Sequence, residues 1–241
     1  MPTLDGTVAL VTGATGGMGT AIVARLLADG ARVVLADLSL ERSSTETTLS
    51  VPLDVRDDAS VAAAVAAAVE HFGQLDLLVN NAGIMARRNA LDTDSELFQQ
   101  ILDVNLTGGF RMSRASYPHL AASAAGSIVS ISSTHAFLAA KNSIAYSTSK
   151  AGISHLTRLL ALEWAEAGIR VNAVAPTVVP SPMTADVLAD PAYIERKMGA
   201  IPLGRPIPAE HVAAAISYLA SSDAGSTTGQ ILVLDGGESL A

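Results

Sequence analysis

The chain has 241 residues, of which 49% are hydrophobic and 16% charged, with a net charge of −8 and no cysteine. The missing cysteine excludes disulfides, thiolate metal sites and cysteine catalysis, and an acidic chain without a lysine or arginine cluster is not expected to bind nucleic acid. No charged-then-apolar leader opens the sequence, and its alanine-rich run Val61 to Val69 is far too short to span a bilayer, so a cytoplasmic protein without membrane contact is expected.

In chain order, Thr7–Val11 is a short apolar run that reads as a strand. It is followed at once by Thr12-Gly-Ala-Thr-Gly-Gly-Met-Gly19 and then by the amphipathic stretch Thr20–Ala28, closed by Gly30. Strand, glycine-rich turn and helix in that order point to a nucleotide phosphate site. Gly13, Gly17 and Gly19 permit a tight turn, and a helix start offers free amides and a favourable dipole to phosphate. The alternative is a purely structural turn. A second strand, Ala31–Asp37, ends in an acid eighteen residues after Gly19. An acid there accepts hydrogen bonds from an adenosine ribose and repels a 2′-phosphate. No basic residue stands at Thr15 or Gly16 or directly after Asp37, and Arg42 reads as solvated. NAD is therefore expected over NADP.

Between Asp37 and Asp54 the crossover is short, and Ser43–Thr48 forms helix poorly. A stunted or irregular helix is expected there, leaving the adenine edge open, with a weak strand at Leu49–Leu53. Further strands are expected at Leu75–Val79, Ser127–Ile131, Arg170–Val174 and Gln230–Leu234. Helical stretches such as Ser60–His71 and Glu210–Ala220 lie between most of them. Alternating helices and apolar strands imply a parallel sheet covered on both faces. The length suits one domain.

Tyr146-Ser-Thr-Ser-Lys150 places a phenol and an ammonium four residues apart in a stretch of helical periodicity, Tyr146 to Trp164. Positions i and i+4 share a helix face. A neighbouring positive charge lowers a phenol from its ordinary value near ~10, which suits proton exchange with a substrate hydroxyl.

With these segments in place, the sequence resembles the short-chain dehydrogenase/reductase family nearly end to end. The family's glycine turn stands at Thr12–Gly19, its Asp-Val at Asp54-Val55 and its Asn-Asn-Ala-Gly at Asn80–Gly83. Its catalytic asparagine is similar to Asn105. Its serine resembles Ser133, thirteen residues before Tyr146, although Ser132 adjoins it. Arg170–Pro176 and Thr228–Gly237 match its later motifs. The resemblance implies a single-domain Rossmann-like, doubly wound α/β fold over residues 1–241, with a seven-stranded parallel sheet, helices on both faces and a substrate loop at about 181–205. It implies catalysis by Asn105, Ser133, Tyr146 and Lys150. It also implies cofactor contacts from Gly13, Thr15, Gly17, Met18 and Gly19, from Asp37, Leu38, Asp54 and Val55, from Asn81, Ala82 and Gly83, and from Tyr146, Lys150, Pro176, Val179 and Ser181. No metal is implied.

Two departures stand out. Thr177 replaces the family's glycine after Pro176, and Ser181 replaces its threonine but keeps the hydroxyl. Thr177 excludes glycine-only backbone angles. Arg87, His135 and Asn142 are the candidate substrate contacts, with solvated loop residues as the alternative for Arg87 and His135. The segment from Pro182 reads equally as a mobile lid or a static loop. The expected activity is an NAD-dependent hydride transfer at a secondary alcohol of a small polyol, sugar or sugar acid. The alternatives are a 3-oxoacyl thioester reductase or a non-catalytic NAD-binding regulator. By resemblance, and from apolar residues on more than one face of Ala151–Trp164, the expected assembly is a homotetramer.

Overall fold

The computed structural model describes residues 3–240. Eight strands form one sheet: β1 (Val8–Thr12), β2 (Arg32–Asp37), β3 (Ser43–Ser44), β4 (Thr48–Pro52), β5 (Leu77–Asn80), β6 (Ser127–Ile131), β7 (Arg170–Pro176) and β8 (Ile231–Leu234). Their order is β3-β4-β2-β1-β5-β6-β7-β8. Every pairing is parallel except β3 with β4.

The apolar strand runs are continuous because both faces of the sheet are covered. On one face Val8 and Leu10 of β1 share a core with Val61 and Val65 of α2 (Asp58–Phe72), Met112 of α4 (Gly108–Ala122) and Leu160 of α5 (Ile144–Trp164). On the other face Ala9 and Val11 pack with Ile22 and Leu26 of α1 (Gly17–Ala28) and with Val212 and Ile216 of α8 (Ala209–Ala220). Successive residues of one strand thus serve opposite layers, as the twofold repeat of a strand requires.

The seven expected strands are eight, and the expected irregular helix after Asp37 is absent. The antiparallel pair of Ser43–Ser44 with Leu49–Ser50 takes its place. The Thr45 hydroxyl accepts from the backbone N–H groups of Thr47 and Thr48 and lies 2.7 Å from Thr48 Oγ1. Short hydroxyl side chains that bond nearby backbone favour such turns over helix.

The chain order reverses across β1, which has β2 on one side and β5 on the other. In open α/β sheets the crevice beyond the carboxyl ends of strands at such a reversal receives ligands. Beyond β7 the chain forms two short helices, α6 (Ala185–Leu188) and α7 (Pro191–Ala200), in the segment whose sequence reads equally as a mobile lid or a static loop. Among the described residues, no helix is long and apolar enough to cross a membrane.

Candidate active site

The glycine turn builds the first part of the site. Helix α1 begins at Gly17 without a side-chain cap and without an acid in its first turn, so its leading amides are left for a ligand. A Cβ at Gly19 would collide with the Gly13 carbonyl, which only glycine avoids. From β5, Asn81 Nδ2 donates to the carbonyls of Thr12 and Gly13 at 2.9 Å each, and Thr12 Oγ1 accepts from the N–H groups of Asn81 and Ala82 at 3.0 Å each. The turn is thereby fixed to the neighbouring strand.

A cleft of about 610 Å³ opens from this turn. Gly13, Thr15, Gly17, Met18, Gly19, Asp37, Leu38, Asp54, Val55, Asn81, Ala82, Gly83 and Ser181 of the expected cofactor set all line it. Tyr146, Lys150, Pro176 and Val179 do not. Val179 instead joins the core against α1 and α8, and Pro176 is buried with its carbonyl 3.4 Å from Ser133 Oγ.

Asp37 Oδ2 accepts from the Thr15 N–H at 3.1 Å and its hydroxyl at 2.7 Å. Partial burial pushes this carboxyl up, but the bonds from Thr15 and Ser39 outweigh it and hold it below the usual value. Arg56 also lines the cleft and was missed in the sequence. Its guanidinium grips both oxygens of Asp54, at 3.0 and 2.7 Å. That hydrogen bond is the main cause of the lowered Asp54 carboxyl. The only sequence signal for it is a cation two residues after the acid.

At the far end, Gly83 joins the cleft to a buried polar cluster. A Cβ at Gly83 would lie 3.3 Å from Asn105 Oδ1 and 3.8 Å from Lys150 Nζ. Asn105 sits in a π-helical turn, Asp103–Thr107, a distortion frequent at functional sites. Its Oδ1 accepts from the Ile84 N–H at 2.8 Å, and its Nδ2 donates to the Ile84 carbonyl and to Ser149 Oγ at 3.0 Å each. Ser149 Oγ in turn donates to the Tyr146 carbonyl at 2.7 Å. Ser132 Oγ is occupied by Ser154 Oγ, 2.7 Å away, and by the Lys150 carbonyl. The Ser133 hydroxyl has a long contact to Pro176, accepts from the His135 N–H at 3.2 Å and faces the Tyr146 phenol. Position 133 rather than 132 therefore has a hydroxyl to offer.

Lys150 Nζ donates to the Ile131 carbonyl at 2.7 Å, and burial pushes the ammonium down to about 8. Burial pushes the Tyr146 phenol up, with the Ser133 hydroxyl and Arg87 acting against it. The lowering expected from Lys150 is therefore not found here. The ammonium faces the carbonyl end of β6 and stands 5.4 Å from the centre of the phenol ring.

The three substrate candidates fall in different places. His135 lies edge-on to Tyr146, with ring centres 5.8 Å apart, and its Nδ1 is 3.1 Å from Ser143 Oγ. Burial, then Lys197, holds its imidazole below the ordinary range. Arg87 reaches the lid, where it binds both oxygens of Asp186 at 3.0 Å and the Met183 carbonyl. Asn142 is exposed at φ 57 on a separate surface groove with Arg88 and Lys141. Its short amide suits that left-handed turn.

Among the described residues Asn142 alone of the non-glycines has positive φ, so Thr177 never enters the glycine-only range. Instead its hydroxyl donates to Glu238, whose other oxygen pairs with Lys197. Sequence reasoning missed Glu238, Lys197 and Asp186, all of which join segments far apart in the chain.

A glycine-floored turn with free amides, an acid at the end of β2 and a polar Asn–Ser–Tyr–Lys cluster define a dinucleotide-binding oxidoreductase. The fit to a dinucleotide rests on the uncapped start of α1 and the collision a side chain would make at Gly19. The chain belongs to the short-chain dehydrogenase/reductase family, whose members act on CH–OH groups with nicotinamide cofactors. Residues 13–239 match the family model described as enoyl-(acyl carrier protein) reductase. The chain is 39% identical to trans-4-hydroxycyclohexanecarboxylate dehydrogenase of Sinomonas cyclohexanicum, over 96% of this chain and 92% of that protein. It is 38% identical to galactitol 2-dehydrogenase (L-tagatose-forming) of Cereibacter sphaeroides, over 97% and 95%. Among solved structures, 3-ketoacyl-(acyl-carrier-protein) reductase from Brucella melitensis complexed with NADH superposes with a TM-score of 0.90 at 35% identity, over 98% of this chain and 100% of that one. Gluconate 5-dehydrogenase from Burkholderia cenocepacia in complex with NADP and tartrate superposes with a TM-score of 0.93 at 28% identity, over 99% and 97%.

Proposed function

We propose that this protein is an NAD-dependent dehydrogenase of the secondary alcohol of a small polyol, sugar or sugar acid. The observation that carries the cofactor preference is Asp37, whose carboxylate is held ionised at the cleft beside Leu38 by Thr15 and Ser39. Such a group favours a ribose diol over a 2′-phosphate. The resemblance to galactitol 2-dehydrogenase supports a hydroxylated substrate.

A nicotinamide cofactor held by the glycine turn and Asp37 would supply the hydride acceptor. Tyr146, once ionised, would take the hydroxyl proton in the oxidation direction, and as the neutral phenol would return it in reduction. Ser133, the hydroxyl left free beside Tyr146, holds the substrate oxygen in line. Lys150 holds its charge beside the phenol, with Nζ next to Gly83, which lines the cleft. Asn105 fixes Ile84 and Ser149 around them.

The assembly we propose is a cytoplasmic homotetramer. Leu159 and Leu162 on α5 and Leu232 and Val233 on the edge strand β8 are exposed apolar side chains of the kind a partner covers. A monomer by light scattering at micromolar concentration would contradict it. The function is tested by following cofactor reduction with NAD and NADP against polyols, sugars, sugar acids and simple secondary alcohols, with a 3-oxoacyl thioester run as reduction. NADP preference would remove the Asp37 argument, and turnover of the thioester alone would replace the substrate class.

A further inference from the structure

Tyr146 and His135 lie edge to edge beside Ser133, and Arg87 and Lys197, the cations against and on the lid, are already paired. The Arg87 fork is filled by both oxygens of Asp186 and by the Met183 carbonyl. Lys197 on α7 is paired with Glu238, and both side chains are largely buried. Glu238 has no spare oxygen, since the second accepts from Thr177. Lys197, Glu238 and Arg87 all act electrostatically on His135, and Arg87 and Glu238 act on Tyr193 of α7 as well. Both pairs border the site: Arg87 bonds the carbonyl of Met183, which lines the cleft, and Glu238 accepts from Thr177, which follows Pro176, whose carbonyl lies 3.4 Å from Ser133 Oγ. His135 itself is kept neutral at physiological pH by burial and by Lys197. Arg196 is exposed, with its guanidinium 5.9 Å from the Tyr193 ring centre, where solvent and salt screen it.

A site for a carboxylate or sulfonate leaves a cation unmatched until the ligand arrives, because a buried charge needs one partner and is not improved by two of the same sign. Here Arg87 and Lys197, the cations of the two pairs that border the site, each have a carboxylate within the chain. We infer that Glu238 and Asp186 are specificity-determining residues that occupy Lys197 and Arg87, so that the enzyme selects an uncharged hydroxylated substrate and discriminates against its carboxylate counterpart. This rests on the reading of the protein as a secondary-alcohol dehydrogenase, and narrows it away from sugar acids. It also separates this chain from the carboxylate-named relative in Sinomonas cyclohexanicum.

The test compares kcat/KM for matched pairs, 4-hydroxycyclohexanecarboxamide against 4-hydroxycyclohexanecarboxylate and galactitol against galactonate. The wild type is expected to favour the uncharged member at least tenfold. Glu238→Gln, which keeps the shape, is expected to shift the ratio toward the acid by about tenfold, and Lys197→Met added to it is expected to restore the ratio. Asp186→Asn, on an exposed side chain, is expected to shift it in the same direction. A merely structural role in holding the lid would lower both members alike and leave the ratio fixed.

A ratio unmoved by Glu238→Gln and Asp186→Asn overturns the inference, as does a wild type that prefers the acid and loses that preference in Lys197→Met. Lack of turnover on every pair would remove the secondary-alcohol reading instead. Calorimetric binding of cyclohexanecarboxamide and cyclohexanecarboxylate to the cofactor-loaded protein then decides the matter without chemistry. Tighter carboxamide binding supports the inference, and tighter carboxylate binding overturns it.

Discussion

Lys150 Nζ stands 5.4 Å from the centre of the Tyr146 ring while donating to the Ile131 carbonyl at 2.7 Å. One ammonium thus serves a backbone group of β6 and the phenol on its own helix. The arrangement is unfavourable for folding, because burial brings the lysine from 10.5 to about 8.

A Lys150→Met substitution therefore separates stability from activity. The folded protein binds this proton less tightly than the unfolded chain, so the burden is full below pH about 8 and fades as pH rises toward 10.5. The shift corresponds to roughly 3 kcal/mol at neutral pH, offset by about 1–3 kcal/mol for the unpaired Ile131 carbonyl. The variant is expected to melt no lower than the wild type at pH 7, to lose that relative gain by pH 10.5, and to turn over about 100-fold more slowly. Calorimetric melting across pH checks the first part. A loss of several degrees at pH 7 would contradict it.

Tyr146→Phe is expected to reduce kcat by about 10³-fold while leaving NAD affinity within about twofold. Because burial raises the phenol, alcohol oxidation by the wild type is expected to climb with pH beyond neutrality. Any residual rate of the variant should be flat. Full turnover by the variant would remove Tyr146 from the chemistry.

Adjacent serines are expected to give opposite phenotypes. Ser132→Ala breaks buried bonds to Ser154 and the Lys150 carbonyl, lowering stability by about 1 kcal/mol with activity within about threefold. Ser133→Ala is expected to lower kcat about 100-fold with little change in melting. Paired melting and rate measurements on the two variants would expose a swapped assignment.

Asp37→Ala is expected to weaken NAD about tenfold and to narrow the NAD to NADP ratio of kcat/KM. Equal loss for both cofactors would mean that Asp37 matters only as the acceptor of Thr15.

The glycine turn, the strands and the Tyr146–Lys150 spacing were legible because they are local: a few neighbouring residues fix the backbone or the helix face. Strand limits moved by a residue or two, as at Leu77–Asn80. The hairpin at Ser43–Ser44 was not legible, since a run of Ser and Thr argues against helix without specifying what replaces it. Asn105 was found by its motif, whereas the π-helical turn and Ser149 beneath it were not. Arg87 was placed near the substrate, but its partner Asp186 lies 99 residues away, and Glu238 meets Lys197 across 41. No periodicity relates such pairs. They exist only once the lid is folded.

The lid is fastened at both ends. Ser181 and Pro182 lie against Gly17, and the Leu203 N–H donates to the Gly236 carbonyl at 3.1 Å. The stretch between carries none of the groups assigned to catalysis, which sit on α5, just past β6 and in the π-helical turn. For laboratory evolution, randomising positions 187–198 samples affinity and substrate range at constant chemistry. Improved clones from such a library are therefore expected to differ in KM before they differ in kcat.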